Sequence, residues 1–186
     1  MIIFMQVINF FGKFRQVPLF YSYKTIMPLS TKVNFDAAVG EASLAGFGCL
    51  VRNHEGEIMA AATASSFYVQ SPPMAEVLCF RWAIGMAMDL GFRAACFETD
   101  CLRLYESWKK KKKDSSYFGT VLQDCYRLVP NFDSFTMSFV RRTGNSAADF
   151  LARTSFTISN QVWIEEGPPD LLPMLNNDVS ASMPVA

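Results

Sequence analysis

Short stretches of alternating or continuous apolar residues, separated by turn-forming residues, run from about residue 32 to residue 140. In the first stretch, Val33, Phe35 and Ala37 alternate with Asn34 and Asp36, which is the period of a strand with one buried face. The later stretches are bounded by Gly, Asn, Ser and Pro, which are typical turn residues. The pattern predicts five strands, at 33–37, 45–52, 57–64, 94–99 and 134–140.

Four further segments have the apolar spacing and the end signals of helices. Ser71 followed by two prolines predicts a helix start, and Gly91 predicts the end of the same helix. Asn145 or Ser146 is placed to cap the last helix. The predicted helices span 74–90, 101–110, 116–129 and 146–154. The order β-β-β-α-β-α-α-β-α predicts an α/β fold in which an antiparallel hairpin meander and parallel strands form one mixed sheet flanked by helices.

Composition and charge narrow the possible functions. The length of 186 residues suits one domain, and 17 basic and 17 acidic side chains exclude a globally basic nucleic-acid-binding protein, although not a local basic site. His54 is the only histidine, so multi-histidine zinc sites are excluded, and a Ser-His-Asp or Cys-His catalyst would need His54 as its base. Because His54 lies in a predicted hairpin turn, we expect it to be an exposed turn residue. The five cysteines include no C-x-x-C pair, which favours reduced, mostly buried thiols in an intracellular protein.

The two ends of the chain differ in charge from its middle. Residues 1–35 contain four basic side chains and no acid, whereas residues 156–186 contain four acids and no base. This predicts an apolar and basic extension at 1–31, a domain at 32–157, and an acidic, proline-containing tail at 158–186 formed by loop or disorder. The first apolar run is too short to span a bilayer, so we expect no membrane association. We expect a protein of the nucleus or cytoplasm, with organelle targeting by the extension as the alternative.

Four acidic residues occupy positions where burial is expected. Asp36 lies inside the first strand, Glu76 and Asp149 lie in the first turns of two predicted helices, and Asp100 ends the strand at 94–99. Singly, each has an ordinary explanation as an edge-strand, helix-cap or helix-dipole residue. Together, they need compensating positive charge, and no Lys or Arg lies beside them at matching places. A divalent cation would supply that charge, and carboxylate ligands favour Mg²⁺ or Mn²⁺ over zinc.

Five motifs in this order and with these spacings carry a family resemblance. They are KVNFDAA (32–38), GFGCLVR (46–52), MAE (74–76), FETD (97–100) and VRRTGNSAADFLA (140–152). Together they closely resemble the plant-type, reverse-transcriptase-like branch of the ribonuclease H domain. The resemblance covers about residues 32–155, and WIEEGPP (163–169) is similar to the tail found in that branch.

The resemblance implies a five-stranded mixed sheet and an endonuclease that cuts the RNA strand of an RNA–DNA hybrid. It implies that Asp36, Glu76, Asp100 and Asp149 are both catalytic and metal-binding. Two Mg²⁺ ions, with Mn²⁺ as a possible substitute, would activate the attacking water and stabilise the departing 3′ oxygen. The products would carry a 5′-phosphate and a 3′-hydroxyl.

Two departures from the family leave an alternative open. Ala37 follows Asp36 where the family more often has Gly, and the loop at 140–145 is short and lacks the histidine that many members carry. Arg141 or Arg142 would take part of that role, but a guanidinium cannot act as a general base near neutral pH. The alternative is a catalytically weak or inactive nucleic-acid-binding module derived from a retroelement ribonuclease H. A 3′–5′ exonuclease would require a Tyr or His near Asp149, and the sequence has neither there.

Basic residues indicate where a nucleic acid would bind. Trp108 is followed by five lysines, which form either a solvated loop end or a patch that follows the phosphates of the hybrid. Recognition would depend on groove shape and 2′-hydroxyls rather than on the bases. Asn34 is expected to orient Asp36 or touch a sugar, and we expect no obligate protein partner. The predicted nucleic-acid-binding residues are Asn34, Lys109, Lys110, Lys111, Lys112, Lys113, Arg141, Arg142 and Asn145.

Overall fold

A six-stranded mixed sheet with helices on both faces forms the framework of the protein. The computed structural model describes residues 3–8, 14–19, 31–69, 71–111 and 114–175. The strands are β1 (Ile3–Ile8), β2 (Phe14–Leu19), β3 (Thr31–Val39), β4 (Ala45–Arg52), β5 (Ile58–Ser66), β6 (Ala94–Thr99), β7 (Ser134–Phe139) and β8 (Gln161–Ile164). The helices are α1 (Pro72–Asp89), α2 (Leu102–Lys110), α3 (Tyr117–Leu128) and α4 (Ser146–Thr154).

The main sheet has the strand order β7-β6-β3-β4-β5-β8, while β1 and β2 pair as a separate antiparallel hairpin. Strands β3, β4 and β5 form an antiparallel meander, and β6 runs parallel to both β3 and β7. All five predicted strands are present, so the mixed α/β fold class is confirmed. The sheet has one strand more than expected.

The additional strand, β8, corrects the prediction that the tail is loop or disorder. It pairs antiparallel with β5, with Trp163 opposite Ala61. Leu171 is fully buried and packs in one cluster with Leu50 and Ala61. Residues 161–171 therefore cover a sheet edge and part of one sheet face. The proposed boundary between residues 157 and 158 stays a prediction.

One face of the sheet carries the larger apolar core and the helices α1, α2 and α3. Phe80 of α1 lies at its centre, with ring centroids 5.0 Å from Phe35, 5.8 Å from Phe97 and 5.2 Å from Trp108. Trp108 also stacks on Tyr126 at a centroid distance of 4.3 Å. Trp108, which precedes the lysine run, is therefore part of the core packing.

The opposite face carries α4 and a smaller core. Leu50 and Ala61 pack there against Ala147 and Leu151 of α4. A Cβ atom added at Gly48 would collide with backbone atoms of α4, so the helix crosses β4 at very short range. This close approach depends on the glycine and determines where the first turn of α4 lies relative to β3.

The ends of the helices follow the predicted signals only in part. Asn145 occupies the cap position of α4, but its side chain makes no capping hydrogen bond. Ser116 caps α3, where its Oγ accepts a hydrogen bond from the amide of Gly119 at 3.1 Å. Ser71 occupies the cap position of α1, but its side chain makes no capping hydrogen bond. Helix α1 also begins at Pro72, two residues before the predicted start. Within the described residues, no helix is long and apolar enough to cross a membrane.

Candidate functional site

The four predicted acidic residues come together around the carboxyl ends of β3 and β6. These strands are parallel neighbours in which Asn34 lies opposite Glu98. Asp36 and Asp100 each follow two residues later and therefore lie side by side. Asp36 experiences the negative charges of Asp100 and Asp149 and forms a side-chain hydrogen bond with Glu76. The sequence prediction that these acids converge is therefore consistent with the structure.

Helix α4 brings Asp149 to this place. Asp36 pairs across the sheet with Gly48, and Gly48 is the residue over which α4 crosses. Asp149 lies in the first turn of α4, as predicted, and its side chain is 29% exposed. Because Gly48 has no side chain, α4 packs close enough to the sheet for Asp149 to lie near Asp36.

Glu76 lies farther into α1 than the sequence predicts. Because the helix starts at Pro72, its first turn contains no acid, and the helix dipole does little to explain a carboxylate at this position. Its Oε2 atom is buried and has no hydrogen-bond partner. Burial, followed by the charges of Asp36 and Asp100, raises the pKa of Glu76 well above its ordinary value. A buried carboxylate of this kind needs a proton or a cation.

Asp36 shares this need. Its side chain is almost completely buried, and burial, followed by the charges of Asp100 and Asp149, raises its pKa to about 7. The backbone amide of Ala37 donates to both Asp36 and Glu76 and partly offsets this effect. Two adjacent carboxyls become hydrogen-bond partners when one of them holds a proton. Near neutral pH, the pair therefore retains a proton that a cation would displace.

Asp149 corrects one expectation from the sequence. Its Oδ2 accepts a hydrogen bond from Nε of Arg153 at 2.9 Å, and its Oδ1 lies 3.9 Å from Nη2 of Arg142. Positive charge does therefore lie beside one of the four acids. Arg153 could have been found from the sequence, because residues four apart on a helix are neighbours.

The donor set fits a hard divalent cation, although the ligands are not preassembled. No group of three or more His, Cys, Asp or Glu side chains within the described residues is arranged as a finished metal site. At present Glu76 hydrogen-bonds to Asp36, and Arg153 binds Asp149. All four acids offer oxygen ligands, and the orphaned Oε2 of Glu76 is a buried oxygen that a cation would satisfy.

Asn34 and Asn145 are buried beneath the acidic site. Asn34 has no exposed surface and Asn145 is 1% exposed, so neither side chain is accessible in this structure, and their direct contact with nucleic acid stays a prediction. Asn34 Nδ2 donates to Glu98 Oε2 at 3.1 Å and to Asn145 Oδ1 at 3.2 Å. Both residues belong to a buried polar network beneath the acidic site. The sequence placed Asn34 on the face of Asp36 but contained no signal that α4 covers this face.

The predicted basic residues that the structure describes lie on the surface. Lys109 and Lys110 form the last turn of α2 and Lys111 follows it, all exposed, while Lys112 and Lys113 lie outside the described residues. Lys110 pairs with Glu106 at 2.9 Å, and Lys109 Nζ lies 5.4 Å from the ring centroid of Tyr105. Arg141 and Arg142 are exposed after β7, next to α4. Their contact with nucleic acid stays a prediction.

His54 and the five cysteines do not form a nucleophilic site. His54 is exposed in the turn between β4 and β5, as predicted. All five cysteines are free thiols, and Cys49, Cys79 and Cys125 are buried, in line with the expectation that most of them are buried. Burial raises the pKa of Cys101, the thiol next to Asp100, to about 11, so this thiol stays protonated at neutral pH.

Comparisons with known proteins agree with this fold. The sequence profile of the reverse transcriptase-like family matches residues 34–155, which is more than half of the chain. A comparison with curated protein sequences found no match. Among solved structures, RNase H1 from the halophilic archaeon Halobacterium salinarum is similar, at 20% identity and a TM-score of 0.64 over 70% of this chain and 99% of that chain.

Two further structures give the same result. The N-terminal RNase H domain of a Mycobacterium tuberculosis protein has 18% identity and a TM-score of 0.62 over 70% of this chain and 96% of that chain. LC11-RNase H1, isolated from compost, was solved in complex with an RNA/DNA hybrid and has 14% identity and a TM-score of 0.57 over 70% of this chain and 100% of that chain. At such identities, the likeness is one of fold. The family match and the shared fold together establish that the chain belongs to the reverse transcriptase-like family and contains a ribonuclease H-like domain.

Proposed function

We propose that the protein is a metal-dependent endonuclease that hydrolyses the RNA strand of RNA–DNA hybrids. The observation that carries the proposal is the group of four acids from β3, α1, the end of β6 and α4. Two of them, Asp36 and Glu76, have raised pKa values because they are buried among like charges. Protein interiors rarely collect carboxylates without a positive partner, and such perturbed groups concentrate at functional sites.

Asp36, Glu76, Asp100 and Asp149 are the residues that would hold the metal. When bound, two Mg²⁺ ions would lower the pKa of an attacking water and stabilise the leaving 3′ oxygen. The acids themselves would bring the cations to one place and keep them there as fixed negative charges. Phosphoryl transfer requires little from the protein beyond such positioning and charge.

Arg142 and Arg153 have a second role in this proposal. Their side chains are 77% and 62% exposed, although both engage Asp149. A cation at Asp149 would take over the compensation of its charge. The two guanidinium groups would then be available to bind phosphates of the hybrid beside the acidic site. Lys109 to Lys113 would bind phosphates elsewhere on the duplex.

The fold supports the choice of substrate. LC11-RNase H1, which shares the fold, was solved with an RNA/DNA hybrid. A double strand containing RNA is recognised through its shape and its 2′-hydroxyls. A protein of this fold with basic groups near its acids is therefore expected to choose its substrate by duplex form and to be indifferent to base sequence.

One observation favours the alternative, a binding module without activity. The described loop between β7 and α4 contains Arg141 and Arg142 and no histidine. Arginine stays charged at neutral pH and does not transfer protons. Slow turnover would follow if the reaction depended on a mobile base in this loop.

The decisive experiment is incubation of the full chain with an end-labelled RNA–DNA hybrid in Mg²⁺, in Mn²⁺ and in chelator. Matched RNA duplex, DNA duplex and single-stranded RNA serve as substrate controls. We expect cleavage of the RNA strand of the hybrid alone, only with metal, and products that carry a 5′-phosphate and a 3′-hydroxyl. Hybrid binding without cleavage in either metal would instead establish the binding module.

A further inference from the structure

A buried row of amide and guanidinium side chains leads to the acidic site from the amino-terminal half of β3. Nη2 of Arg52 donates to Oδ1 of Asn34 at 2.7 Å. Nδ2 of Asn34 donates to Oδ1 of Asn145 at 3.2 Å. Nδ2 of Asn145 then donates to Oδ1 of Asp100 at 3.2 Å. Arg52, Asn34 and Asn145 are all less than a tenth exposed, so the row lies in the interior.

Asn145 also joins three separate elements of the site. Its Nδ2 donates to the carbonyl oxygen of Phe35, the residue before Asp36, at 3.0 Å. Its own carbonyl oxygen accepts the amide of Asp149 at 3.1 Å, which closes the first turn of α4. One residue thereby connects the backbone beside Asp36, the carboxylate of Asp100 and the turn that carries Asp149.

The row fixes the direction in which each amide points. Because Arg52 can only donate, the oxygen of Asn34 must face it, and the Asn34 amide must face Asn145. The oxygen of Asn145 then accepts, and its amide is directed at Asp100. The contact uses Oδ1 of Asp100, and the carboxylate has a second oxygen to offer a cation. Glu98 Oε2 accepts a further hydrogen bond from Asn34 and lies in the same network.

We propose that Asn34 and Asn145 are positioning residues of the acidic site, with Arg52 setting their orientation. They hold Asp100 and the start of α4 in place against β3. This inference rests on the proposed metal-binding function. Removal of a residue that hydrogen-bonds to a metal ligand typically lowers metal affinity or activity by about 10- to 100-fold.

The test is the Mg²⁺ dependence of the unfolding free energy of the full chain, which measures binding without any activity assay. Asn145→Ala removes the amide that holds Asp100. Asn34→Asp keeps an acceptor for Arg52 and removes the hydrogen bond donated to Asn145. The control is Thr31→Val, because the Thr31 hydroxyl donates to the Ala94 carbonyl at 2.9 Å and joins the same strands, β3 and β6, at their other end.

We expect the half-saturating Mg²⁺ concentration to rise at least about 10-fold in Asn145→Ala and to rise less in Asn34→Asp, with no change in Thr31→Val. An added negative charge alone would tighten Mg²⁺ binding, so weaker binding by Asn34→Asp reports impaired positioning. If Asn145→Ala does not fold, Asn34→Asp decides the matter.

Three outcomes separate the possibilities. Wild-type Mg²⁺ affinity in the asparagine variants overturns the positioning role and leaves the proposed function intact. Equal weakening in Thr31→Val also overturns it, because the effect would then be general destabilisation. A wild-type protein whose stability does not respond to Mg²⁺ overturns the metal site itself, and the positioning role with it.

Discussion

Replacement of Asp36 by Asn is expected to stabilise the metal-free protein at alkaline pH. Asp36 is buried among like charges, and its pKa rises from 3.8 to about 7. The folded state therefore binds the Asp36 proton more tightly than the unfolded state does. This contribution to stability is complete below pH 4 and is lost as the pH rises through about 7. Asn carries no proton that could be lost, so the variant escapes this pH-dependent loss.

The magnitude follows from the size of the shift. A shift of roughly three pKa units at about 1.4 kcal/mol per unit corresponds to a loss of about 4 kcal/mol in the wild type at pH 8. At pH 4 the same loss is under about 1 kcal/mol. The amide also weakens the hydrogen bond that Ala37 donates to this side chain, at a cost of about 1 kcal/mol. We therefore expect Asp36→Asn to be more stable than the wild type by about 2–3 kcal/mol at pH 8 and no more stable at pH 4.

Urea unfolding in chelator at pH 4 and pH 8 measures these differences. Asp133→Asn is the matched control, because Asp133 is an exposed acid and undergoes the same substitution. The control should not differ from the wild type at either pH by more than about 0.5 kcal/mol. Two results would refute the claim that burial of Asp36 among acids destabilises the protein at alkaline pH. One is a variant less stable than the wild type at pH 8, and the other is the same difference in unfolding free energy at both pH values.

Three further predictions concern the surface and the core. Serine at all positions from Lys109 to Lys113 should weaken hybrid binding and lower the slope of log affinity against log salt by about 0.9 for each phosphate that the lysines no longer neutralise. A binding titration from about 50 to 200 mM salt measures both effects. Unchanged affinity and slope would make the run a solvated loop end. Gly48→Ala should destabilise the fold by at least about 1–3 kcal/mol in urea unfolding, because its Cβ meets the α4 backbone. The control Gly85→Ala, which has open space around it in α1, should stabilise the fold by about 1 kcal/mol. Leu171→Ala should lower the free energy of unfolding by about 2–5 kcal/mol, because Leu171 is fully buried. Leu172 is 64% exposed, so Leu172→Ala should stay within about 0.5 kcal/mol of the wild type. Equal effects of the two substitutions would mean that the tail does not cover the core.

The central meander and the acidic cluster were predictable because their signals are local. Alternation of Val33, Phe35 and Ala37 with polar residues identifies both the strand and the face on which Asp36 lies. The position of Asp100 directly after an apolar strand places it at the carboxyl end of a parallel pair, where sites usually form. The need of all four acids for compensating charge added the expectation that they share one site, and the five motifs implied the same.

The features that the sequence did not predict depend on tertiary partners. Residues 161–164 form too short a run to indicate a strand by themselves, and they become one because β5 offers an unpaired edge. The burial of Asn34 and Asn145 depends on where α4 lies, which no local pattern reveals. The pairing of Asp149 with Arg153 is different, since a spacing of four residues on a predicted helix is a local signal that indicates such a pair.

The central claim is that the four acids perform metal-dependent cleavage of a hybrid, and Asp100→Asn tests it most directly. The substitution removes one negative charge with little change of shape and keeps an oxygen to accept the hydrogen bond from Asn145. The loss of metal ligation should remove several kcal/mol of transition-state stabilisation, and about 1.4 kcal/mol already corresponds to tenfold in rate. We predict that hybrid cleavage in Mg²⁺ falls at least about 100-fold while hybrid affinity is retained, and that Asp133→Asn cleaves like the wild type. Cleavage by Asp100→Asn at the wild-type rate would contradict the account and place the chemistry elsewhere.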